Sequence, residues 1–218
     1  MDLQFKYVAQ ALPFLLAGMK LTIIFTVGGL AIGFFLGAIV GLGRTAKNKY
    51  AFSAATVYVE VIRGTPILVQ AIWIYYAMPQ LLGLNLDILP AGITAIAINS
   101  GAYIAEVVRG AIEGVPKGQR EAGRSLGLNH YHTLYHIIWP QAFRRMIPSL
   151  GNQFIISLKD TSLFTIIGAA EMTRQAQISV ASNFAYFEIY SLLAVLYLSL
   201  TIPITLMLRY VERRLDVN

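Results

Sequence analysis

The sequence predicts an all-α integral membrane protein of about five transmembrane helices, with one structured loop on the cytoplasmic side, and three observations predict it. The 218 residues are 56% hydrophobic and only 13% charged, with a mean hydropathy of +0.62. Soluble domains carry about 25% charged residues. Several apolar runs approach the roughly 20 residues that a helix needs to cross a bilayer at about 1.5 Å per residue. The basic residues fall into clusters that alternate with those runs. We read residues 1–218 as a single transmembrane domain, with the loop 109–145 lying within it.

Phe5 to Gly18 is apolar but short and is expected to lie in the membrane interface. Its Pro13 and the later Lys20 also argue against a cleaved signal peptide. Leu21 to Leu42 is the first span. Ala51 to Ile62 is too short to cross alone, and Arg63-Gly64-Thr65-Pro66 interrupts it, with Pro66 suited to the first turn of a new helix. Ile67 to Leu82 is the second span and Pro90 to Val108 the third. Met146 to Ala170 is the fourth and the most polar. The fifth runs from about Ile189 to Met207.

Threading these spans alternately places Arg44, Lys47, Lys49, Arg63, Arg109, Lys117, Arg120, Arg124, Arg144, Arg145, Arg209, Arg213 and Arg214 on one side. Only Lys6, Lys20 and Arg174 fall opposite, and Lys159 lies within a span. Positive loops face the cytoplasm, so the N-terminus is expected outside and the C-terminus inside a cell membrane. Orientation accounts for the net charge of +6 without nucleic acid. The chain has no cysteine, which excludes disulfides and thiolate chemistry.

Ionisable groups inside a bilayer cost about 2.5–3.5 kcal/mol each and call for a reason. The fourth span holds Gln153, Ser157, Lys159, Asp160 and Thr161, and the third holds Asn99, Tyr103 and Glu106 at helical spacing. Two polar stripes predict a water-accessible path, with the alternative that they only bond helix to helix. Asp160 is the leading candidate for contact with a solute, followed by Lys159, Asn99 and Tyr103, with Thr161, Ser157 and Gln153 beside them. Glu171 and Glu188 are expected to add negative charge at the outer mouth, or else to be solvated loop carboxylates.

Arg109 to Arg145 is longer than a connection requires. Pro116 is placed to start a helix and Gly127 to end it; Asn129 is placed to cap a second helix, which Pro140 is expected to stop. Such a unit reads as a docking knob. Gly29, Gly33, Gly37 and Gly41 form a ridge of small residues suited to close helix packing. His130, His132 and His136 have no cysteine to complete a structural zinc site, and an amphipathic helix is the better reading.

Glu121-Ala122-Gly123, three residues, Gly127, nine residues and then Ile137-Ile138-Trp139-Pro140 resembles the E-A-A-x3-G-x9-I-x-L-P signature of permease subunits of ATP-binding-cassette (ABC) importers. Gly123 and Trp139 depart from it. Arg63-Gly64-Thr65-Pro66, Ser100 to Glu106 and Leu158 to Leu163 resemble the polar amino acid branch of that family, the histidine, arginine, glutamine and glutamate permeases. The resemblance implies the type I permease fold and a pair of permeases, identical copies on our reading. It also implies two ATPase subunits, an extracytoplasmic binding protein, and coupling through Glu121, Ala122, Gly123, Gly127 and Leu128. ATP and Mg would be bound by the partner ATPase, and no cofactor is expected in this chain.

No G-x-x-x-x-G-K-[ST] phosphate loop occurs in the sequence, so the energy is expected to come from a partner rather than from enzymatic activity here. A secondary transporter using Asp160 or Glu106 as its ion site is the rival from another class, and no inverted repeat supports it. A membrane enzyme lacks a fitting catalytic set. The acids Asp160, Glu171 and Glu188 favour a cationic amino acid (arginine, lysine or histidine), with glutamine or glutamate as the alternative.

Overall fold

A computed structural model describes residues 5–215, which are all-helical, with no β-strand among them. Helix α1 is Phe5–Gly43, and α2, Lys49–Arg63, is capped by the Asn48 side chain. Helices α3 (Ile67–Ile72) and α4 (Met78–Leu82) are joined through a π-turn, Trp73–Ala77. The long α5 is Ile88–Glu113, followed by α6, Lys117–Ser125. Helix α7 (His130–Thr133) passes through a second π-turn, Leu134–Ile138, into α8, Trp139–Asp160. A 3-10 turn, Thr161–Ile167, leads to α9 (Met172–Asn183) and α10 (Tyr186–Arg214).

Three helices, α1, α5 and α10, are long and apolar enough to span a membrane among the described residues. The pair Lys49–Arg63 and Ile67–Leu82 passes only as one span bent by 100°. The fourth expected span, α8, has the length but not the apolarity: Arg144, Arg145, Asn152, Gln153, Lys159 and Asp160 all lie on it. It also ends at Asp160, not Ala170, because the chain tightens into the 3-10 turn and reverses at Gly168, which has φ of 82°.

Two expected boundaries move. Phe5 to Gly18 is not a separate segment but the first part of α1, which runs unbroken through Pro13. At about 1.5 Å per residue α1 is about 58 Å long, well beyond the roughly 30 Å of a bilayer core. Its extra length is packed: Ala11 and Leu15 bury against Met172, Ala176 and Val180 of α9 and Ile189 of α10. Pro140 does not stop the second knob helix, since helix continues from His130 to Asp160. A proline ring displaces the carbonyl four residues back, and the π-turn absorbs this. Trp139, just before Pro140, donates to Leu134 O, five residues back. Met78, just before Pro79, does the same to Trp73 O.

The core is the pairing of α1 with α5. Gly29, Gly33, Gly37 and Gly41 all face inward, as the small-residue ridge predicts. A Cβ on Gly29 would come within 2.5 Å of Ile96, on Gly33 within 2.2 Å of Ser100 Oγ, on Gly37 within 2.6 Å of Ile104 and on Gly41 within 2.6 Å of Val108. The partners advance by four residues in the same direction on both helices, so α1 and α5 run parallel in continuous close contact. Their C-terminal ends, with Arg44 and Arg109, therefore meet at one end of the molecule. Gly151 of α8 sits against Leu208 of α10, which brings Arg144, Arg145 and the arginines ending α10 toward that same end.

Candidate functional site

The knob forms as its punctuation predicts at three of four points. Pro116 precedes α6 as its N-cap, and Asn129 Oδ1 accepts from the His132 amide at 2.9 Å. Gly127 adopts φ of 76°, with its N–H donating to Arg124 O at 3.0 Å and the Leu128 N–H to Gly123 O at 3.0 Å. That paired pattern closes a helix with a left-handed glycine. The fourth point, Pro140, is the exception given above.

Glu121 and Ala122 are exposed on the outer side of α6, whereas Gly123 is buried. A Cβ on Gly123 would lie 2.8 Å from Ile137 Cδ1 and 2.9 Å from Thr133 Cγ2. The departure from the signature's second alanine is therefore a packing fit, beyond its effect on helix propensity. The knob is fastened to the spans by Arg120, which donates to Ile112 O at 2.9 Å, and by Arg145, which donates to Gly114 O. Beneath it, Val108, Ile112 and Val115 pack with Ile138, Ala142 and Met146.

The residues of the two polar stripes fall into different settings. Asn99 is buried and donates to Gln70 Oε1 at 3.1 Å, and Gln70 Nε2 donates to Ile62 O at 2.8 Å and Thr65 O at 3.0 Å. Asn99 thus holds the bend at Arg63-Gly64-Thr65-Pro66. Sequence reasoning missed Gln70, whose signal is one amide in an otherwise apolar run, Ile67 to Ile72. Glu106 is enclosed by Arg44 at 3.1 Å, Arg63 at 3.6 Å and Arg109 at 3.0 Å. A carboxylate paired this way ties α1, α2 and α5 together and is not left open for a transported ion.

Tyr103 and Gln153 do come together. They line an open cleft of about 860 Å³ between α5 and α8, with Arg63, Glu106, Arg145 and Asn152. The Arg63 guanidinium lies 5.3 Å from the centre of the Tyr103 ring, within cation–π range. Ser157 and Thr161 are buried and locally bonded: Gln153 Nε2 donates to Ser157 Oγ at 3.2 Å, and Thr161 Oγ1 donates to Leu158 O at 2.8 Å. Lys159 is exposed and Asp160 half-buried at the other end of α8, outside the cleft.

Glu171 is not at an open mouth. It is fully buried, and its carboxylate caps α9 by accepting from the amides of Thr173 at 2.9 Å and Arg174 at 2.8 Å. Burial pushes this carboxyl above the ordinary glutamate range, while the two amides pull it part of the way back. Glu188 lies in the first turn of α10, where a negative charge suits the helix dipole.

Residues 45–217 match the family described as the binding-protein-dependent transport system inner membrane component. Over all 218 residues, and the whole of each relative, the chain is 47% identical to the glutamine transport system permease GlnP of Escherichia coli (strain K12) and 32% identical to the arginine transport system permease ArtQ of Bacillus subtilis (strain 168). It is 41% identical over 205 residues to the L-cystine permease TcyB of B. subtilis, covering 94% of this chain and 87% of that one. The crystal structure of an amino acid ABC transporter with histidines superposes with a TM-score of 0.92 at 38% identity, covering 98% of this chain and all of that one. The inward-facing methionine transporter MetNI shares the fold, with a TM-score of 0.73 at 17% identity and 99% of each chain covered. The chain belongs to the binding-protein-dependent transport system inner membrane components, as a multi-pass permease subunit of the amino acid ABC type.

Proposed function

We propose that this permease imports glutamine, or a closely similar neutral polar amino acid, rather than a cationic one. The observation that carries this reading is the burial of Glu171 in the cap of α9, which removes it from any route a solute takes. The charges left near the end of α8 are Lys159 and Asp160, a balanced pair suited to the ammonium and carboxylate common to every amino acid. The 47% identity to a glutamine permease over both full chains supports the same choice. Uptake of labelled glutamine into vesicles, competed by a panel of amino acids, tests it. Glutamine should compete strongly and arginine weakly, and the reverse order overturns the assignment.

Two permease copies, two ATPases and an extracytoplasmic binding protein make up the working assembly in this reading, with the basic end of the spans in the cytoplasm. Asp160 and Lys159 receive the amino acid, and the cleft holding Tyr103 and Gln153 leads it toward the cytoplasmic end. Asp160→Asn should then reduce uptake while the ATPase still co-purifies; normal uptake kinetics would sink that role. Exposed Glu121 and Ala122 meet the ATPase, with Gly127 and Leu128 closing the helix behind them. Glu121→Lys should insert normally yet lose ATP-driven uptake. ATP and Mg belong to the ATPase, and the permease contributes movement rather than catalysis.

A further inference from the structure

Two cavities lie beside the end of α1, apart from the cleft, the first of them bounded in part by Arg120 and Arg124 of α6 and by Leu128. The first, about 490 Å³, is lined by Lys47, Arg120, Arg124, His130 and Asn129, with no carboxylate in its wall. The second, about 380 Å³, is lined by Leu42, Leu134, Tyr131, Tyr135 and Trp139. Leu134 lines both, so the basic and the apolar cavity lie side by side against this residue. Tyr131, Tyr135 and Trp139 recur every four residues along one helical face, and the two tyrosines are 79% and 69% exposed.

We propose that this double cavity binds one anionic phospholipid from the leaflet at the basic end of the spans. The phosphate sits among Lys47, Arg120, Arg124 and His130, and the start of an acyl chain lies along Leu42, Tyr135 and Trp139. The sequence supports it: Leu42 is in the last turn of α1 and Lys47 follows a few residues later, where the chain passes from apolar to basic. Tyrosine and tryptophan are enriched at membrane–water interfaces, and basic pockets at the cytoplasmic ends of spans suit anionic headgroups. A soluble anion would use the first cavity and leave the second without a purpose. An acidic protein surface would likewise gain nothing from a neighbouring apolar slot. The site rests on the basic end being the cytoplasmic end only in naming the leaflet, so its test is independent of the substrate.

The experiment uses the permease purified with its ATPase, delipidated, and titrated with phosphatidylglycerol or phosphatidylcholine while native mass spectrometry counts retained lipids. One phosphatidylglycerol per permease should be retained in preference to phosphatidylcholine, and excess inorganic phosphate should not displace it. The double variant Lys47→Gln/Arg124→Gln should weaken phosphatidylglycerol retention roughly thirtyfold, at about 1 kcal/mol for each basic residue. Tyr135→Ser, which leaves the charges intact, should shorten the lipid's residence without abolishing the preference for anionic headgroups. Equal retention of both lipids, displacement by phosphate, or an unchanged double variant that still carries its ATPase would overturn the site.

Discussion

Asn99 Nδ2 donates to Gln70 Oε1 at 3.1 Å, and Gln70 in turn donates to the carbonyls of Ile62 and Thr65, so one side chain of α5 fastens the 100° corner between α2 and α3. Asn99→Ala should lower stability by about 1 kcal/mol, as hydrogen bonds between membrane helices do. Gln70→Leu should cost more, about 1–3 kcal/mol, because it leaves Asn99 and two carbonyls without their partner. Thermal midpoints in detergent measure both. The double variant should cost less than the sum if the two amides act as one unit.

The contact of α1 with α5 predicts a graded series. Gly33→Val places its Cβ where Ser100 Oγ stands, 2.2 Å away, and should cost at least about 1–3 kcal/mol through overpacking. Gly43→Ala, 3.3 Å from Ala55 Cβ, should be mild. Gly110→Ala meets nothing within 4 Å and should gain up to about 1 kcal/mol from helix propensity. Yield of folded protein by size exclusion, followed by thermal midpoints, orders the three.

In the knob, Gly123→Ala restores the alanine of the family signature but should destabilise the loop here. Its Cβ meets Thr133 Cγ2 and Ile137 Cδ1. Thr133→Ser removes the first obstacle while keeping a hydroxyl to bond Asn129 O, as Thr133 does at 2.9 Å. The pair Gly123→Ala/Thr133→Ser should therefore recover more ATPase in co-purification than Gly123→Ala alone.

Glu171 predicts a pH effect with a definite sign. Its folded-state pKa lies above the ordinary value because burial outweighs the two capping amides. The stability it contributes is present below the ordinary glutamate value and is lost as pH rises through the raised one. Glu171→Gln does not titrate, so it should gain on the native protein as pH rises through that range. Melting curves across the acid-to-neutral range show the convergence or its absence. Glu171→Ala should lose the cap at every pH, at about 1 kcal/mol.

Much of this architecture was readable because it follows local rules. Glycines four apart can only serve a close helix contact, and Gly127 followed by Asn129 marks one helix ending and another beginning. What escaped reading depends on geometry that no single residue announces. Pro13 and Pro140 look like breaks, yet α1 runs through the first and a π-turn accommodates the second. Asn99, Tyr103 and Glu106 share one face of α5, but the elements around them give each a different partner: an amide, a cleft and three arginines. Glu171 read as a loop acid because the fourth span was expected to run to Ala170 and leave the bilayer there, whereas α8 ends at Asp160 and the chain turns at Gly168 and buries that acid. The Lys159-Asp160 pair stood out as an ionic doublet, and its position at the end of α8 gives it a setting that composition does not supply.

The π-turn at Leu134–Ile138 has a mechanical consequence. Because Pro140 fails to interrupt the chain, His130 to Asp160 is one rod, about 46 Å long at about 1.5 Å per residue. Its lower end is the half of the knob that Gly123 packs against, and its upper end is the Lys159-Asp160 doublet. A displacement of the knob therefore reaches that doublet through continuous helix, and the widened turn and Pro148 are the points along it where the helix can bend.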